Sequence, residues 1–119
     1  MRWLLHGQMT GAVANALSKR GDEIQTVHLP AQAPPQDVLK AAATNQLDVI
    51  STDGKLATAP FELDWVFPRS IVYLQLQGAD IEQDDAIRRL FERYRRLAPG
   101  RLYTVTATRV KVRQLPGKR

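Results

Sequence analysis

The chain has 119 residues, no cysteine and a formal net charge of +5. That length suits one domain spanning 1–119. Disulfides, thiolate chemistry and Cys-ligated metal centres are excluded, and no apolar run approaches the ~18 residues of a membrane helix. The charge is unevenly divided. Residues 1–85 carry 6 Lys/Arg and 11 Asp/Glu, whereas residues 86–119 carry 11 Lys/Arg and only Glu92. An acidic body with a basic C-terminal third suits a protein that meets a polyanion; a solvated helix face with a basic tail gives the same count. Met1-Arg2-Trp3-Leu4-Leu5 is too short an apolar run for a signal peptide and has no small-residue cleavage site, so a cytoplasmic location with no membrane partner is expected.

In chain order, Arg2 to His6 reads as a strand. Thr10 can cap a helix through Ala12, Val13, Ala16 and Leu17, with Gly21 just past its end. Glu23 to Leu29 reads as a second strand. Pro34 and Pro35 suit the first turn of a helix reaching to about Gln46, with Val38, Leu39, Ala42 and Ala43 inward. Val49-Ile50-Ser51 is a short buried strand. Residues 52–68 are the least regular part. Phe61, Leu63, Trp65, Val66 and Phe67 are too apolar for a free loop and are expected to fold back over the core, or to form a partner surface such as a homodimer contact.

Ser70 to Leu76 is a fourth strand. Gly78-Ala79-Asp80 opens a helix, with Asp80 and Gln83 as an N-terminal cap pair. Ile87, Leu90, Phe91, Tyr94 and Leu97 form its buried stripe, and Gly100 ends it. Leu102 to Thr106 is a fifth strand. Thr108 to Leu115 alternates charge with valine and reads as an antiparallel edge strand.

Strand and helix signals alternate, which predicts a three-layer α/β/α sandwich with a mostly parallel central sheet. Ligands in such sheets bind outside the carboxyl ends of the strands. The residues to weigh are therefore His6, Gly7 and Gln8 after the first strand, Thr52, Asp53 and Lys55 after the third, and Gln75 and Gln77 after the fourth. Asp53 before Gly54 is a ligand or the cap of a turn. Asp37 is a ligand or a first-turn acid favoured by the helix dipole. His6 is a ligand, a general base or a half-buried ring bonded to its surroundings. Lys55 meets phosphate or pairs with an acid. His28 shows no partner in the sequence. Ser18, Ser51 and Ser70 lie in no nucleophile elbow, and no glycine-rich phosphate loop is present.

Four stretches together resemble the short single-domain PIN-like proteins, relatives of VapC-type toxin ribonucleases. Met1-Arg2-Trp3-Leu4-Leu5-His6-Gly7-Gln8 resembles the opening strand, which in that family runs to Asp-Glu-Asn. Pro35-Gln36-Asp37-Val38-Leu39-Lys40-Ala41-Ala42 resembles the helix with an acid near its start. Val49-Ile50-Ser51-Thr52-Asp53-Gly54-Lys55-Leu56 resembles the strand ending in Thr-x-Asp-x-Asp-Phe. Ser70 to Leu74, the long helix and the Val-Lys-Val-Arg edge strand resemble the C-terminal half.

The resemblance implies a PIN-like sandwich and a metal-dependent ribonuclease, the toxin of a toxin–antitoxin pair, with RNA as substrate and an antitoxin as protein partner. It implies Mg²⁺ or Mn²⁺ held by Asp37 and Asp53, with His6 assisting catalysis. His6 stands where the family has an acid, and Lys55 where a further acid often lies; both changes weaken Mg²⁺ binding. Lys55, Arg95, Arg96 and Arg101 are the expected phosphate contacts. The alternative is a catalytically inactive PIN-like module that binds RNA or a protein through its basic C-terminal third. A flavodoxin-type sheet is a second fold reading, although the receiver domains of that class need an acidic pair after the first strand.

Overall fold

The computed structural model describes residues 1–27, 29–30, 32–76 and 80–117. Its elements in chain order are β1 (Arg2–His6), α1 (Gly11–Lys19), β2 (Glu23–Ile24), α2 (Pro35–Thr44), β3 (Asp48–Ser51), α3 (Gly54–Thr58), a 3-10 turn (Ala59–Glu62), β4 (Ile71–Leu74), α4 (Asp80–Arg93), β5 (Arg101–Val105) and β6 (Val110–Gln114). The strands form one sheet in the order β2-β1-β3-β4-β5-β6. Every neighbouring pair is parallel except β5 with the antiparallel edge strand β6. The fold is thus α/β with a mostly parallel sheet and four helices. Its parallel part has the 2-1-3-4-5 order of open doubly wound sheets such as flavodoxin, whose switch point lies between β1 and β3.

Alternation along the strands divides the core in two. Leu4, Val49, Ile71 and Leu102 lie side by side in register and cluster with Val38 and Leu39 of α2 and Leu56 and Ala57 of α3. One residue along, Ile50, Val72 and Tyr103 cluster with Trp3, with Val13 and Leu17 of α1 and with Ile87 and Leu90 of α4. Helices therefore cover both faces. Each helix presents its apolar stripe, and burying a Leu or Ile side chain contributes about 1.5–3 kcal/mol.

Local chemistry sets most element ends. Thr10 accepts the Ala12 N–H as the cap of α1, and its own N–H and hydroxyl both donate to Gln83 Oε1 at 3.1 Å, which ties α1 to α4. Pro35 occupies the first turn of α2, where its missing N–H costs no helix bond.

Three elements differ from the sequence expectation. β2 is only two residues long; beyond Gln25, whose N–H reaches the Trp3 carbonyl, the chain leaves the sheet, and Val27 and Leu29 pack toward α2. Residues 52–68 contain a helix, α3, and the expected fold-back holds for four of the five apolar residues: Leu63 and Phe67 are buried, Phe61 and Trp65 lean on the same cluster, and Val66 stays exposed. α4 stops at Arg93, short of Leu97. There the chain wraps Tyr103, with Tyr94 packed edge-on at 5.3 Å and the Ala98 N–H donating to the Tyr103 hydroxyl at 2.8 Å. The expected roles of His28, Gln77, Gly78 and Ala79 lie outside the described residues, as does the cap expected of the Asp80 side chain. Among the described residues no helix is long and apolar enough to cross a membrane.

Candidate functional site

The sheet brings the carboxyl ends of β1 and β3 side by side at the switch point. His6 is paired in register with Ser51. The Ser51 side chain is fully buried and His6 is half-buried. His6 Nδ1 lies 2.8 Å from Ser51 Oγ, and the Asp53 N–H donates to the same oxygen at 2.9 Å. The Asp53 carboxylate accepts the Lys55 N–H at 2.9 Å and so caps α3. Sequence reasoning left Asp53 open between ligand and cap; the cap is formed.

Gly7 makes this arrangement possible. Its φ is +89°, and a Cβ there would sit 2.5 Å from Thr52 Oγ1 and 3.2 Å from the Thr52 nitrogen. Only glycine lets the chain after β1 lie this close to the turn after β3. Thr52 then bonds across, its N–H to the His6 carbonyl at 3.3 Å and its hydroxyl to the Gln8 carbonyl at 3.2 Å.

The serine restricts what the imidazole can do. Ser51 Oγ accepts the Asp53 N–H and keeps a second lone pair and its own proton, so the neutral ring either accepts from it at Nδ1 or donates to it, the direction following the tautomer. A protonated ring can only donate, and the Ser51 hydroxyl must then turn its proton elsewhere in a buried place. Burial holds the His6 pKa below its ordinary value of 6.5, with the nearby Asp53 carboxylate pulling the other way.

A pH dependence follows. The unfolded chain takes up the His6 proton more readily than the folded one. Stability from this group is therefore full above about pH 6.5 and declines as pH falls from there through the folded-state value. In an NMR titration the His6 ring signal, assigned against a His28→Gln variant, should move with a midpoint below 6.5. Asp53→Asn should lower that midpoint further. A midpoint at or above 6.5 would show that the ring is not buried as described.

The remaining expected residues are not all gathered here. Asp37 is exposed in the first turn of α2. Among the described residues no three His, Asp or Glu side chains come together where they could hold a metal ion. The donor set implied by the family resemblance therefore does not fit Mg²⁺ or Mn²⁺ as the chain is folded: His6 and Asp53 meet, Asp37 does not complete them, and one Asp53 oxygen is engaged in the cap.

Lys55 is exposed at the same edge. Arg95, Arg96 and Arg101 are exposed at the other end of the strands, where the α4–β5 connection lies beside the entry to β4, the Gly100 N–H donating to the Arg69 carbonyl. A mainly apolar cavity of about 180 Å³, lined by His6, Leu4, Val27, Leu29, Ala33 and Val38 among others, opens beside the imidazole. A wider groove of about 530 Å³ lies between α1 and α4, away from these residues.

Ser51 was not singled out as a site residue in the sequence. The signal was there: alternation puts it two residues beyond Val49 on the same sheet face, at the strand's last position. Comparisons with family models, with curated proteins and with solved structures each return no match.

Proposed function

We propose that the chain is a PIN-like module, a three-layer α/β/α sandwich of ribonuclease ancestry, that binds RNA without a metal-loaded catalytic centre. The observation that carries this reading is the closed hydrogen-bond set His6–Ser51–Asp53 at the switch point. Where a nuclease of this kind would gather acids, the ring is tied to a buried hydroxyl and the Asp53 carboxylate caps a helix. Such a site offers the half-buried His6 imidazole and the exposed, positively charged Lys55 ammonium, which suit a phosphodiester as a bound ligand. Support for RNA as the partner comes from the basic C-terminal third.

The second reading is a metal-dependent ribonuclease, the toxin of a toxin–antitoxin pair. Its support is that His6 and Asp53 are drawn to the same Ser51 hydroxyl at the carboxyl edge of the sheet; among the described residues no third donor joins them.

One experiment separates them. Labelled single-stranded RNA is incubated with the protein in EDTA and then in Mn²⁺, beside Asp53→Asn. Retention in EDTA with no cutting in Mn²⁺ is the expected result. Metal-dependent cutting that disappears in Asp53→Asn would replace the first reading with the second.

A further inference from the structure

The register of the sheet decides which basic residues belong with the site. His6 is paired with Ser51, Ser51 with Tyr73, Tyr73 with Thr104, and Thr104 with Lys111. Residues paired directly share a sheet face, so these five side chains form one row across β1, β3, β4, β5 and β6 near the carboxyl edge. The row crosses four strand spacings, roughly 19 Å. Because β6 runs antiparallel, Arg109 precedes it at the hairpin on the same edge. Arg113, paired with Leu102, lies two residues beyond Lys111 on the same face. Arg113 is held in place, its guanidinium 4.0 Å from the centre of the Phe61 ring.

These three cations are available. Arg109, Lys111 and Arg113 are exposed, and among the described residues none of them is in an ion pair. Two of the helical arginines differ: Arg88 is tied to Asp84 and Asp85, and Arg89 donates to the Thr106 carbonyl. Arg101 alternates with Leu102 and therefore points to the α1/α4 face, away from the row.

We infer that β6 is a phosphate rail for single-stranded RNA, with Arg109, Lys111 and Arg113 contacting successive phosphates. The inference rests on the RNA-binding reading above and adds which surface is used. Alternate residues of a strand stand about 6.8 Å apart, a step that an extended single-stranded backbone can follow. A second copy does not suit this edge. Symmetric antiparallel pairing of two β6 strands sets cation opposite cation on that face, which is unfavourable.

The test is fluorescence anisotropy of a labelled oligouridine with the whole chain, over a salt series. One variant carries Arg109→Gln, Lys111→Gln and Arg113→Gln; the comparator carries Arg95→Gln, Arg96→Gln and Arg101→Gln. Because Arg113 packs on Phe61, the single variant Lys111→Glu is measured as well, and circular dichroism checks the fold of each. The rail variant should lose about tenfold or more in affinity at low salt, and its salt slope should fall by about 2, since each single-strand phosphate contact contributes about 0.7. The comparator should stay within about twofold of wild type. If wild type binds RNA and the loss falls on the comparator, or on neither set, the rail is wrong while the RNA reading stands. If wild type binds no RNA, both fall. Tighter binding of poly-glutamate than of RNA through the same three residues would overturn the rail in favour of an acidic protein strand.

Discussion

Gly7→Ala is expected to remove about 3 kcal/mol of folding stability, read as a lower urea midpoint with an unchanged slope. Two costs add. A non-glycine residue at a φ of +89° is strained by about 1–3 kcal/mol. The new methyl also meets Thr52 Oγ1 at 2.5 Å and backbone nitrogen at 3.2 Å, and crowding of this kind costs about 1–3 kcal/mol. Adding Thr52→Ala removes only the contact with the hydroxyl, so it should restore part of the loss and leave the backbone strain. The damage reaches the site, because the same loop positions His6 against Ser51, and the His6 titration should change with it. A loss below about 0.5 kcal/mol would show that the chain after β1 does not lie against Thr52 as described.

Asp48→Ala is expected to cost about 3 kcal/mol, near the lower end of what breaking a buried ion pair costs. Asp48 is 4% exposed at the start of β3. Its Oδ1 accepts the Ser70 N–H at 3.0 Å and the Ser70 hydroxyl at 2.9 Å, and its Oδ2 pairs with Arg69 at 3.1 Å. Alanine leaves the Ser70 donors buried and unanswered. Arg69 reaches solvent, with its side chain 34% exposed, which moderates the loss. Asp48→Asn keeps one acceptor oxygen and the shape, and should cost about 1 kcal/mol. Equal losses in the two variants would mean that the Ser70 bonds carry no weight. This acid holds the entry to β4 to the entry to β3, at the end of the sheet away from His6, and so belongs to the fold rather than to the site.

The strands with clean apolar runs were legible before the structure. Val49-Ile50-Ser51 and Ile71-Val72-Tyr73-Leu74 fall where the pattern puts them. The alternation of Arg109, Val110, Lys111, Val112 and Arg113 announced an antiparallel edge strand. The helix in residues 54–58 was hidden because its start signal, an Asp before Gly, reads equally as a turn. The end of α4 was misplaced because Tyr94 and Leu97 continue the helical spacing while packing against Tyr103 and the core from outside the helix.

The site was legible by position and not by partnership. The rule that ligands sit after the strands of such sheets named His6 and Asp53, and the two do converge. It could not show that a buried serine joins them, nor that Asp37 stays apart from them, because both depend on how β3 and α2 settle on the sheet. Grouping Lys55 with Arg95, Arg96 and Arg101 was natural in a linear charge count. The strand directions put them at opposite ends, and the register places Lys111 and Arg113 on the His6 face, with Arg109 just before them in the hairpin.

The most direct measurement is retention of labelled single-stranded RNA by the whole protein in EDTA as salt is raised. RNA binding without metal predicts measurable affinity at low salt that declines linearly in logarithmic plots, with a slope near −2 for about three phosphate contacts. No retention in EDTA, or an affinity that does not change with salt, would contradict it.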